Sequence, residues 1–119
     1  MDATEFRHIT KVFGLRIVRL VEALPETRAG YIMGRQLLRS GTFVGANYRA
    51  ACRSKSSADF IARMKIVEEE CDESIYWIEM LVESGQIEQQ LAADLYKDAD
   101  EILSMVAASI RTAEAGNNR

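Results

Sequence analysis

Four of the seven glycines in this 119-residue chain fall at positions 30, 34, 41 and 45, inside one continuous apolar pattern. Each costs a helix interior roughly 1 kcal/mol relative to alanine, so a helix that keeps four of them must recover the loss by packing. Gly30, Gly34, Leu37, Gly41, Val44 and Tyr48 step by three or four residues, which places the glycines on one helical stripe. Such a stripe lets one backbone approach another, and Gly41-Thr42-Phe43-Val44-Gly45 has the small-xxx-small form of closely packed helices. The pattern predicts a helix from about Thr27 to Cys52, with Gly34, Gly41 and Gly45 as its close-packing positions. The competing expectation is two shorter helices broken around Gly41.

The rest of the chain divides around this segment. Pro25 is the single proline, and it ends a first helix of about Thr4 to Ala23 whose stripe is Phe6, Phe13, Ile17 and Leu20. Arg53 to Ser57 is a polar break. Ser56 followed by Asp59 has the form of a capping sequence for a third helix, with Phe60, Met64, Val67, Cys71, Ile75 and Ile78 inside and Ser84-Gly85 at its end. A fourth helix is expected from about Ile87 to Ala113, with Leu91, Leu95, Ile102 and Ile110 on its inner face. Few breakers and short connections predict an all-α, antiparallel up-and-down four-helix bundle. A single domain over residues 1–115 and a short frayed tail over 116–119 complete the expectation.

Composition and motifs argue against most catalytic classes. The one histidine, His8, sits beside Arg7 on the outer side of the first helix, which excludes a histidine-rich metal site. Glu68-Glu69-Glu70, Asp72 and Glu73 are dense, but no Glu-x-x-His accompanies them as in carboxylate-bridged bundles. No phosphate-binding glycine loop is present, and Ser40 and Ser74 have no base nearby to activate them. Neither an enzyme nor a cofactor is expected. Cys52 and Cys71 lack metal spacing and read as reduced thiols of a cytoplasmic protein. No apolar run approaches the roughly 18 residues of a membrane span, and the start shows no basic segment leading into an apolar one.

Charge is more informative than its net value of −3. Arg28, Arg35, Arg39, Arg49, Arg53 and Lys55 oppose only Glu26 between residues 26 and 55, a balance of +5; residues 56–85 carry eight acids against Arg63 and Lys65, a balance of −6. Mutual neutralisation of neighbouring helices is the first expectation. Gln36, Arg39 and Asn47 interleave with the glycines, and a buried link from Arg39 to Glu70 or Glu73 would fix the register of helices two and three. Trp77 is expected to pack between helices with its N–H bonded, and Tyr76-Trp77 is alternatively a subunit contact.

The stretch Gln36-Leu37-Leu38-Arg39-Ser40-Gly41-Thr42-Phe43-Val44-Gly45-Ala46-Asn47-Tyr48-Arg49-Ala50-Ala51, with Ser56, Asp59-Phe60-Ile61, Glu70, Glu73 and Tyr76-Trp77, resembles a known family. It is the four-helix-bundle family named after proteins encoded in intervening sequences of bacterial 23S ribosomal RNA, and the resemblance covers nearly the whole chain. It implies a cytoplasmic bacterial protein without established enzymatic activity, folded as a left-handed up-and-down bundle, that forms a ring-shaped homo-oligomer, a pentamer. It also implies that Arg39, Ser40 and Asn47 are polar pins of helix two. A related branch, the accessory variability determinant of diversity-generating retroelements, is similar in fold and works as a basic pentamer that binds nucleic acid and a reverse transcriptase. This chain departs from the family pattern at Phe43, where serine is common, at Ala50, where glutamate is common, and at Glu69, where lysine is common.

Two functional readings follow. The first is a non-catalytic, self-assembling scaffold or accessory protein. The second is an RNA- or DNA-binding accessory protein that uses Arg28, Arg35, Arg49, Arg53 and Lys55. They separate on whether those cations line one exposed surface or are consumed by carboxylates of helix three.

Overall fold

The computed structural model describes residues 2–117, and every regular element in them is a helix: α1 (Ala3–Glu22), α2 (Arg28–Ala51), α3 (Ser57–Glu83) and α4 (Gln89–Asn117). Each start is local chemistry. The side chains of Asp2, Thr27 and Ser56 accept hydrogen bonds from the backbone N–H groups of Glu5 (2.8 Å), Gly30 (2.9 Å) and Asp59 (3.0 Å), capping α1, α2 and α3. The end of α3 is equally specific. Gly85 adopts φ +80°, so that its own N–H reaches the Val82 carbonyl at 3.0 Å while the Gln86 N–H reaches that of Leu81 at 2.9 Å.

That turn explains why α4 begins later than Ile87. The Ile87 N–H also points back to the Leu81 carbonyl at 3.3 Å and its side chain packs on the core, so Ile87 belongs to the turn. At the other end α4 runs past Ala113 through Gly116 and Asn117, because Ala113, Glu114 and Ala115 are good helix formers. Of the tail expected over 116–119, residues 118 and 119 lie outside the described residues.

Each helix packs mainly on its sequence neighbours, and α4 returns to α1 through the thinnest of the four interfaces. The result is an elongated bundle of 51 × 21 × 20 Å. Phe13, Ile17, Leu37, Val44, Met64, Val67, Ile78, Leu81, Ile102 and Val106 fill the core and are almost wholly removed from water. At the α1–α4 seam Arg16 pairs with Asp98 across an otherwise sparse contact.

Helix α2 is unbroken through Gly41, and its glycine stripe faces α1. A methyl group added at Gly41 would lie 2.7 Å from Ile17 Cγ1 and 2.9 Å from Cγ2; one at Gly45 would lie 3.2 Å from the Thr10 carbonyl oxygen. At Gly34 it would meet Leu24 Cδ1 at 2.7 Å. The α1 side contributes its own small residues. Gly14 lies over Gly41 and Thr42, and buried Thr10 returns its hydroxyl to the carbonyls of Phe6 (3.0 Å) and Arg7 (3.1 Å). At the end of this seam, the Phe6 and Tyr48 rings meet edge to face with centroids 4.6 Å apart.

Candidate functional site

The polar residues of α2 divide according to which neighbour they face. Toward α3, Arg39 holds Glu73 at 2.7 Å and Glu70 at 3.3 Å. The link is not buried, because the Arg39 side chain is 40% exposed and sits at the mouth of the seam. The two carboxylates push the Arg39 pKa further up, and the Arg39 guanidinium holds the Glu73 carboxyl below its usual range. Inside the seam, Ser40 and Ser74 are fully buried with their hydroxyl oxygens 3.0 Å apart. Ser74 Oγ is also 2.8 Å from the Glu70 carbonyl oxygen, so its single proton serves one of the two acceptors.

Two residues expected to link helices make no side-chain hydrogen bond to another helix among the described residues. Asn47 donates its amide to the Phe43 carbonyl of its own helix at 2.8 Å, a local bond available to an asparagine four residues on. Gln36 is half-buried near Arg39.

An apolar and aromatic surface flanks the Arg39–Glu73 pair. Arg39 stacks over Phe43 with its guanidinium carbon 5.4 Å from the ring centroid. Trp77 is half-buried and donates its indole N–H to Glu73 Oε1 of its own helix at 3.3 Å. Tyr76 meets Trp77 edge to face at 4.9 Å and is itself 51% exposed. Ile32, Phe43, Ile66 and Met80 are also exposed on the outward faces of α2 and α3. Their spacing, Ile32–Arg39–Phe43 and Ile66–Glu73–Trp77–Met80, is that of two helical stripes with an ion pair between them.

The remaining cations of α2 are not neutralised. Arg28, Arg35, Arg49, Arg53 and Lys55 are exposed, and none takes part in an ion pair among the described residues. The expected mutual neutralisation of α2 and α3 is therefore confined to Arg39. The reason is rotational: Arg28, Arg35, Arg49 and Arg53 lie on the α1 side of the outer face, away from the carboxylates of α3. Arg49 and Arg53 enter a groove of about 590 Å³ between α1 and α2, whose far wall carries Arg7, His8 and Lys11. Arg7 and Lys11 were not singled out by the sequence, because in a separate helix they read as an ordinary solvated face.

The thiols are differently placed. Cys71 is buried with its sulfur 3.2 Å from the Ala99 carbonyl oxygen, and burial pushes its pKa up to about 12, leaving it protonated. Cys52 is half-buried and ends α2. Among the described residues no group of three or more histidine, cysteine or acidic side chains could hold a metal ion. No helix in them is long and apolar enough to cross a membrane.

A family model described as 23S rRNA-intervening sequence protein matches residues 5–108. The chain belongs to that family. A crystal structure from Bacteroides thetaiotaomicron, of a protein with unknown function from the S23 ribosomal protein family, shares 32% identity and superposes with a TM-score of 0.86. The match covers 93% of this chain and 99% of that one. No curated protein matches the sequence. The four-helix bundle is thus shared along nearly the whole length of a family relative whose own function is unknown.

Proposed function

We propose that the chain is a non-catalytic scaffold or accessory protein of the cytoplasm that assembles with copies of itself through the outward face of α2 and α3. One observation carries the reading. Ile32, Phe43, Ile66, Tyr76 and Met80 are between 37% and 53% exposed on that face, around the Arg39–Glu73–Trp77 cluster. An exposed apolar and aromatic patch with a polar anchor is the composition of a protein contact. The ion pair would set the register of that contact, since a misaligned copy leaves charged groups against apolar ones.

A closed ring, with the pentamer as the stoichiometry that the family resemblance implies, is the assembly that the reading favours. Light scattering on the eluting protein at micromolar concentration tests it. A mass several times the 13.4 kDa of the chain is the expected result, and a clean monomer overturns it.

A further inference from the structure

The groove between α1 and α2 lies on the other side of α2 from the proposed assembly face. We propose that it binds a single strand of nucleic acid through its phosphates, independently of base sequence. This goes beyond the scaffold reading and stands on separate residues.

The argument begins with unbalanced charge. Arg7 and Lys11 project from α1 at a four-residue spacing, Arg49 projects from the last turn of α2, and Arg53 stands in the turn just past its end. The packing of Gly45 on Thr10 and Lys11, and of Gly34 on Val21 and Leu24, makes the two helices antiparallel. That register sets Arg7 level with Arg49 at one end of the bundle. All four cations line one groove, no aspartate or glutamate lines it, and none of the four is in an ion pair among the described residues. The charge is also segregated on a larger scale. Residues 1–55 carry ten lysines and arginines against four acids, and residues 56–119 carry five against fourteen.

Groove shape selects the occupant. Between the cationic side chains it is lined by the small residues Gly14, Thr42, Gly45 and Ala46 together with Leu15 and Val18, and the glycines close the two helix backbones on each other beneath it. Arginine supplies three of the four cations, and its planar fork suits phosphate oxygens. No phenylalanine, tyrosine or tryptophan lines the groove and His8 is its one ring, so the row of platforms on which single-strand binders stack successive bases is missing. Phosphate contacts without stacking or base-edge readout give affinity and no sequence preference. A duplex, about as wide as the 20–21 Å bundle, would rest on the rim and leave the floor empty. A second copy of this chain would have to set carboxylates against all four cations, and the groove offers it one large exposed apolar side chain, Leu15, whereas Ile32, Phe43, Ile66, Tyr76 and Met80 are together on the α2–α3 face.

Fluorescence anisotropy of the full-length protein with labelled thirty-nucleotide oligouridylate and oligothymidylate tests the proposal. Both are expected to bind in low salt, with a slope of log affinity on log salt of about −3, the value for four phosphate contacts on a single strand. Arg49→Glu with Arg53→Glu should lower affinity at least about tenfold while helicity and assembled mass stay unchanged. Lys97→Glu with Arg111→Glu, the same change in net charge on α4, should lower it far less. No binding of either strand in low salt would overturn the proposal, as would equal losses in both pairs of variants. A fall in assembled mass in Arg49→Glu with Arg53→Glu would overturn it too, because the groove would then be occupied by another copy.

Discussion

The two seams of α2 are built on opposite principles. Against α1 the helix offers missing side chains: Gly34, Gly41 and Gly45 let Leu24, Ile17 and the Thr10 backbone fill the space a methyl group would take. Against α3 it offers directional bonds, the Ser40–Ser74 contact inside and the Arg39–Glu70–Glu73 link at the edge. The first seam stores its specificity in shape and should fail when atoms are added. The second stores it in polarity and should weaken by degrees when partners are removed.

The largest effect is expected where shape is least forgiving. Gly41→Val would place branched atoms on Ile17, which is completely buried and has nowhere to move. Overpacking of this kind costs about 1–3 kcal/mol, and valine adds strain beyond alanine, so Gly41→Val should lose at least ~3 kcal/mol. Denaturant unfolding measures it. Gly45→Ala, tight against a backbone that cannot rotate away, should lose about 1–2 kcal/mol. Gly14→Ala sharpens the contrast from the other side, because its added methyl would meet Gly41 and Thr42 at an ordinary 3.7 Å. Relief of the glycine penalty should there leave stability unchanged or raised by up to ~1 kcal/mol. Equal destabilisation by Gly14→Ala and Gly41→Val would contradict the reading that the α1 seam keeps its specificity in where methyl groups are missing.

On the polar side, Ser74→Ala removes the closer partner of the buried Ser40 hydroxyl, whose other acceptor, the Leu37 carbonyl, is 3.4 Å away. A loss of about 1 kcal/mol is expected, to be compared with a smaller one for the partly exposed Arg39→Leu. The latter is the more telling for assembly: unchanged mass and unchanged melting in Arg39→Leu would remove the Arg39–Glu73 pair from any role in register. The pair also has an acid dependence. Because Arg39 lowers the Glu73 pKa, its contribution is fully present above the usual glutamate value of about 4.3 and is lost as pH falls below it. Glu73→Gln should therefore melt with a shallower acid limb than the native chain, and an identical limb would contradict the linkage. The smallest effect is chemical. Iodoacetamide at pH 8 should modify Cys52 and spare Cys71, whose pKa of about 12 keeps it a thiol in the folded bundle.

What was legible in the sequence follows the same division between local and distant. The start of α2 near Thr27, the cap at Ser56, the Gly85 stop and the stripe of α2 depend on a few adjacent residues, and each stands where its pattern placed it. The stripe showed which side of α2 is thin and could not show that α1 fills it, since periodicity names a face and not a neighbour. Arg39 and its carboxylates were identifiable because α2 and α3 are joined by a short connection. Which bonds Asn47 and Gln36 make was not legible, because a face fixes a neighbour and not a partner: a local backbone bond satisfies the Asn47 amide without a second helix. The groove could not be read at all. Arg7 and Lys11 are some forty residues from Arg49 and Arg53, and only the close approach that the glycines permit makes them one surface.

The central claim is that α2 uses its α3 side to hold copies of the chain together. Mass by light scattering on the native protein and on Ile32→Glu with Phe43→Glu tests it most directly, since both residues are exposed in the isolated bundle. The account predicts a multimer for the native chain and a folded, fully helical monomer for the variant. The same mass for both proteins, whether one copy or many, would contradict it.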